Sequence, residues 1–242
     1  MTYYASPAAA NYYTPPPHVV RQRATRMCDQ CGAIEQPAIK QFRLCGGCMT
    51  TNYCSQECQK IHWPSHKAIC KHTVAQVAAM KQQPRSVDYG DQNLSKMLRK
   101  FTSFHQNLLQ WCGFQALQLK RLPSNIRQNA LLIELTYRPT GDSHRQFAVS
   151  GTHIVPRTFV TSQDPLVAAD IQRREDRCRR NGGIGCCVVL IQCDGINQVM
   201  PVEVDPPASI AWDIRDDWED VLEHFVDSGR PDFKPICTTP MG

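Results

Sequence analysis

Cys28-Asp29-Gln30-Cys31, Cys45-Gly46-Gly47-Cys48, Tyr53-Cys54-Ser55-Gln56-Glu57-Cys58-Gln59 and His62-Trp63-Pro64-Ser65-His66-Lys67-Ala68-Ile69-Cys70 are the stretches on which the reading of this chain turns. Seven of its 13 cysteines fall in this one block, and with His66 they make eight candidate ligands. A Cys-x2-Cys pair folds into a tight knuckle that sets two sulfurs roughly 3.5–4 Å apart, each about 2.3 Å from one Zn²⁺. Cys54-x3-Cys58 and His66-x3-Cys70 are i,i+4 pairs, which one helical turn brings to the same face. Four pairs make two tetrahedral zinc sites, and interleaving is the natural arrangement: first and third pairs on one ion, second and fourth on the other. His62 competes with His66 for a ligand position, since it lies four residues after Cys58. His66 is preferred because its pairing with Cys70 completes the second quartet.

Working outward, Met1 to Val20 has no charged n-region and is interrupted by Pro7 and by Pro15 to Pro17, which is not the pattern of a secretory signal. An intracellular, reducing setting, nucleus or cytoplasm, is therefore expected, where clustered cysteine means metal rather than disulfide. No run approaches the ~18 apolar residues of a membrane span, so no membrane partner is expected. The chain has 242 residues with 27 Lys+Arg against 22 Asp+Glu, a formal charge of +5. Seven ligand thiolates and two dications lower that by three, to about +2, which argues little for nucleic acid.

The organisation expected is a disordered Pro/Ala-rich tail over 1–26, the finger over 27–71, a linker over 72–90 and an α+β domain over 91–242. Within the last, Leu94 to Leu119 has helical period with a possible break at Gly113. Leu131 to Tyr137, Gln146 to Val149, Thr152 to Val155, Ile184 to Gln192 and Ile196 to Val204 read as strands. Asp164-Pro165 opens a helix that Gly182 closes, and Asp194-Gly195 marks a hairpin. Asp216 with Glu219 reads as the capping box of a last helix ending at Gly229. The sheet expected is mostly antiparallel, with helices packed against one face.

The run Tyr53-Cys54-Ser55-x2-Cys58-Gln59, followed by His62-Trp63-x2-His66-Lys67-x2-Cys70, resembles the MYND zinc finger, over less than a fifth of the chain. The resemblance implies cross-braced pairing: Cys28, Cys31, Cys54 and Cys58 on one zinc, and Cys45, Cys48, His66 and Cys70 on the other. It also implies a protein-interaction module that docks proline-containing segments of the Pro-x-Leu-x-Pro type. Gln59 and Trp63 are the candidate peptide-binding residues, and proteins with such motifs the expected partners, in transcriptional regulation. The layout of 91–242 is similar to that of fungal MYND-containing proteins, an arrangement without a motif, which gives no function.

Two further classes are weighed. A nucleic-acid-associated regulator would use the basic finger and Arg173, Arg174, Arg177, Arg179 and Arg180, although Asp170, Glu175 and Asp176 interleave them and can pair at i,i+4. A SET-type lysine methyltransferase would need motifs that are absent, and the residues ahead of Cys28 are too few for a first SET segment. Gly182-Gly183-Ile184-Gly185 follows a helix and precedes a strand, the wrong order for a phosphate-cradling loop. No catalytic residue is assigned and no enzyme is expected. Partner identity, oligomeric state and the role of 91–242 are not readable from the sequence.

Overall fold

The computed structural model describes residues 26–36, 39–80, 94–139 and 142–238. The tail expected over 1–26 lies, apart from Arg26, outside the described residues, as does part of the turn at 139–142. The chain forms a first compact unit, Arg23–Lys100, and a second that includes Phe101–Gly242.

The first unit holds a small antiparallel ladder, β1 (Arg43–Leu44) and β2 (Asn52–Tyr53), and a long helix, α1 (Gln56–Met80). Ser55 starts α1, its Oγ accepting from the Cys58 N–H at 3.1 Å. Pro64 sits inside α1. It removes the bond to the Lys60 carbonyl, and Ser65 Oγ donates to the His62 carbonyl at 3.0 Å, so the helix continues. α1 also runs through 72–80, which the sequence reading gave to a linker. His72 to Met80 contains no Gly or Pro and has three Ala, so nothing stops the helix there. Residues 81–93 lie outside the described residues. The boundary between the units falls inside α2 (Leu94–Phe104) rather than near residue 91.

The second unit continues with α3 (Gln106–Ala116), α4 (Asn125–Gln128), β3 (Asn129–Tyr137), β4 (Phe147–Pro156), α5 (Thr158–Thr161), α6 (Pro165–Arg180), β5 (Gly185–Cys193), β6 (Ile196–Val204) and α7 (Trp218–Ser228). Its sheet has the order β4-β3-β5-β6, antiparallel except for the parallel central pair β3–β5. The two expected strands at 146–149 and 152–155 are one strand, β4, with a register shift opposite Glu134 and Leu135 that leaves Ser150 unpaired.

Helices cover both faces of this sheet, not one. Val188 and Leu190 pack with Val160 of α5 and Ile171 of α6. The residues between them along β5 point the other way: a Cβ on Gly113 of α3 would lie 2.8 Å from Cys187 Sγ and 2.9 Å from Val189 Cγ2. The continuous apolar run from Cys186 to Ile191 is the signature of a strand buried on both sides. Gly113 therefore lets α3 lie close on β5 and breaks nothing. The break in the 94–119 helix falls at His105, whose ring is buried against Phe101 and Phe104 at 4.8 Å each.

Local signals at the other ends hold. Asp164 Oδ1 accepts from Leu166 N at 2.9 Å and caps α6 ahead of Pro165. Asp194 and Gly195 both take positive φ, 45° and 73°, as a two-residue hairpin requires. Asp216 is different: the cap of α7 is Asp217, with no side-chain capping bond. Asp217 is drawn away by Arg215 at 2.8 Å, Asp216 lies 3.5 Å from Arg121, and Glu219 accepts from Thr152.

A buried ion pair ties the layers together. Arg157, after β4, reaches Glu175 of α6 at 2.7 Å and donates to the carbonyls of Ile126 and Cys186, at 2.5 and 3.1 Å. Arg157→Met should cost about 3 kcal/mol by leaving Glu175 buried without its partner, and adding Glu175→Gln should restore part of that. Denaturant unfolding of the single and double variants checks it.

Candidate zinc centres and their surroundings

Two knuckles and one helix supply the ligand atoms. In the first knuckle Cys28 N donates to Ala33 O at 2.8 Å and Gly32 N to Cys28 O at 2.9 Å, with Gly32 at φ +75°. In the second, Met49 N donates to Cys45 O at 3.0 Å. This loop hangs between β1 and β2, closed by Cys45 N donating to Thr51 O at 2.8 Å. α1 then presents Cys58, His66 and Cys70 at multiples of four residues.

The structure gathers the side chains into two quartets, Cys28/Cys31/Cys54/Cys58 and Cys45/Cys48/His66/Cys70, with the ligand atoms of each within 4.8 Å of one another. Sulfurs 2.3 Å from a tetrahedral zinc sit about 3.8 Å apart. The separations are 3.6 Å for Cys31–Cys54, 3.4 Å for Cys54–Cys58, 3.7 Å for Cys45–Cys70 and 3.5 Å for Cys48 Sγ to His66 Nε2. The donor sets, four thiols and three thiols with one imidazole, are those of structural zinc, and the finger holds two zinc ions in this way.

Electrostatics points to the same cation. Burial raises the Cys48 thiol, but hydrogen bonds from His66, Thr50 and Thr51 outweigh it and bring the group down to about 5. Burial and the charge on Cys48 push Cys70 up to about 12. Cys54 is likewise pushed up to about 12, by burial and by the thiols of Cys58, Cys31 and Cys28. Thiols packed this closely cannot all ionise unless a dication neutralises them.

His62 is placed behind the second quartet. Its Nδ1 lies 2.9 Å from the Tyr53 hydroxyl, and its ring stacks on His66 at 5.2 Å between centroids. Tyr53 and His62 are almost fully buried, so they back the ligating imidazole. Trp63 stands edge-on to His66 at 6.1 Å and is 39 % exposed. Gln59 is half-buried on α1. Two residues not singled out from sequence also shape the site. Asp29 turns inward to accept from Asn52 N at 2.7 Å, and Glu35 accepts from Phe42 N at 2.6 Å. Their signal was present only in tertiary contact.

Several other titratable groups among the described residues have partners or surroundings of their own. Cys112, Cys186 and Cys187 are fully buried, and burial raises all three, Cys187 to about 12. His144 stacks on Phe104 at 4.2 Å, and His153 pairs with Glu134 at 3.4 Å. Gly182 and Gly183 form the loop after α6, where Gly183 lies against Cys178. Of the five α6 arginines, Arg173 and Arg174 bind Asp170, Arg177 binds Glu203 and Arg179 faces Glu175. Asp213 is spent on Thr238.

Two outcomes follow. Gly47→Ala should selectively weaken the second zinc, because the added Cβ would lie 2.9 Å from Cys70 Sγ; zinc titration of the variant reads this. Chelation should be biphasic, with the first quartet, whose Cys31 is exposed, releasing its ion before the buried second quartet. Release followed with a coloured zinc indicator, with Cys31 alkylation in parallel, checks the order.

Residues 28–70 match the family described as MYND finger. A 49-residue stretch is 43% identical to "Dauer abnormal formation protein 25" of Caenorhabditis elegans, covering 20% of this chain and 12% of that protein. Another, of 53 residues, is 34% identical to "SET domain-containing protein 14" of Caenorhabditis elegans, covering 22% and 11%. The chain thus spans little more than a tenth of the length of these relatives. No solved structure matches. Among the described residues, no helix is long and apolar enough to cross a membrane. Residues 28–70 are a MYND zinc finger, a protein-interaction module cross-braced by two metal sites.

Proposed function

We propose that this chain is an intracellular adaptor whose finger docks extended, proline-containing segments of partner proteins, in transcriptional regulation, with Gln59 and Trp63 contacting the segment. The observation that carries this reading is the exposure of Trp63 edge-on to a ligating histidine. A large aromatic held rigid by a metal ligand costs little entropy when it packs on a pre-stiffened PPII segment. The half-buried Gln59, one turn before Trp63 on the same helix, adds a hydrogen-bonding amide to that face.

The domain plan that goes with it is a proline-rich tail, the finger at 27–71 and an α+β domain after it. The chain is read as no enzyme. Each quartet fills a tetrahedral shell with protein ligands and keeps no position for substrate or water, so the zinc is structural. Pairing of Arg173, Arg174, Arg177 and Arg179 with Asp170, Glu203 and Glu175 weakens the nucleic-acid reading by engaging four of its five α6 arginines.

Fluorescence anisotropy with a labelled Pro-Xaa-Leu-Xaa-Pro peptide tests the reading on the full chain. Trp63→Ala should weaken binding about tenfold or more while two zinc ions remain bound. Equal affinity of the variant, or no binding by the native chain, would contradict it. Calorimetry with S-adenosylmethionine should show no heat of binding; saturable binding would favour a methyltransferase instead.

A further inference from the structure

The outer face of α1 has a charge pattern that the metal sites do not use. Lys60, Lys67 and Lys71 are exposed and stand at i, i+7 and i+11. At 100° per residue they fall within about 20° of a single line, which is about 16 Å long. Val74, 45 % exposed, and Trp63 border this line on one side. Lys67 and Lys71 make no ion pair among the described residues.

The finger's acids are placed elsewhere. Asp29 and Glu35 are both 4 % exposed and hold the backbone of Asn52 and Phe42. Glu57, at the first turn of α1, is the exposed acid of the described finger. Two of the three carboxylates of the described finger are thus turned inward, while the lysines of α1 face outward beside exposed apolar side chains.

We infer that this stripe is the electrostatic half of the docking site, and that the segment bound there carries acidic residues beside its apolar anchor. The inference rests on the docking reading and names the chemistry of its partner. Three exposed cations along one helix face, of which Lys60 also interacts with Glu57, steer an oppositely charged segment and select against a basic one. The thiolate centres favour a peptide over nucleic acid. Four thiolates on one dication and three on the other give local charges of −2 and −1 beneath the helix. That background resists a dense row of phosphates and tolerates a few discrete carboxylates.

The experiment uses the full chain and three labelled peptides that share a Pro-Xaa-Leu-Xaa-Pro core and differ only in flanks of Asp/Glu, Ser or Lys. At about 50 mM salt the acid-flanked probe should bind about tenfold tighter than the Ser-flanked one, and the advantage should shrink severalfold at about 0.5 M. In the triple variant Lys60→Glu/Lys67→Glu/Lys71→Glu, with two zinc ions retained, the order should invert. Trp63→Ala should weaken all three probes alike and leave their ratio unchanged. A ratio within about twofold in the native chain, or one the triple variant does not alter, overturns the inference. If no probe with the proline core binds, the docking reading fails, and an acidic peptide without the core decides the stripe. Binding by the native chain that the triple variant loses supports it; equal or absent binding overturns it. A DNA duplex bound more tightly than the acid-flanked probe, and lost in the triple variant, also overturns it, in favour of nucleic acid.

Discussion

Coordination of zinc by thiolate is the interaction on which the first unit depends. Around the ligands of the finger, the buried apolar cluster consists of Phe42 and Tyr53 with the ligating cysteines themselves, far too little to fold so short a stretch by burial alone. Structural zinc supplies on the order of 10 kcal/mol or more, and does so only once its ligands converge. Everything else in the finger serves that convergence. The short β1–β2 ladder presents the second knuckle, Ser55 starts α1 in the register that aligns Cys58, His66 and Cys70, and Gly47 leaves room for Cys70 Sγ. The exposed surface of α1, with Trp63 and the lysines, is rigid because its inner side is tied to metal.

The second unit is held by different physics. β3 and β5 form a parallel pair at the centre of the sheet and are buried on both faces, with α5 and α6 on one side and α3 on the other. Its internal charges are paired, Arg157 with Glu175 and Arg177 with Glu203, so they fix the seating of α6 on the sheet. Its buried cysteines are held protonated by their surroundings and act as small apolar filler. The two units thus separate a metal-dependent recognition surface from a domain built by ordinary burial.

What was legible in the sequence was what is encoded locally. Ligand spacing is set by the geometry of one turn and one helical repeat, so the two quartets could be written down from residue numbers. Asp164-Pro165, Asp194-Gly195 and Gly229 marked their element ends for the same reason, since capping and positive φ depend on a few neighbouring residues. What needed the third dimension was not legible. Gly113 looked like a breaker, but its role is close approach to Cys187 and Val189, distant in sequence. Asp216 looked like a cap, but the competing partners Arg121 and Arg215 rearranged that corner. The second helical layer was hidden because an apolar run in β5 can be read as a strand buried on one side or on both. The spacing already favoured His66 over His62, but the role of His62, engaged by the Tyr53 hydroxyl, needed the tertiary structure.

The central claim is that two zinc ions, held by seven thiolates and one imidazole, organise the first unit. Zinc X-ray absorption on the native full chain, with the metal quantified per protein, tests it most directly. The account predicts two zinc ions per chain and an average shell of about three and a half sulfurs at about 2.3 Å with half a nitrogen. Fewer than one zinc per chain, or a shell dominated by nitrogen and oxygen, would contradict it.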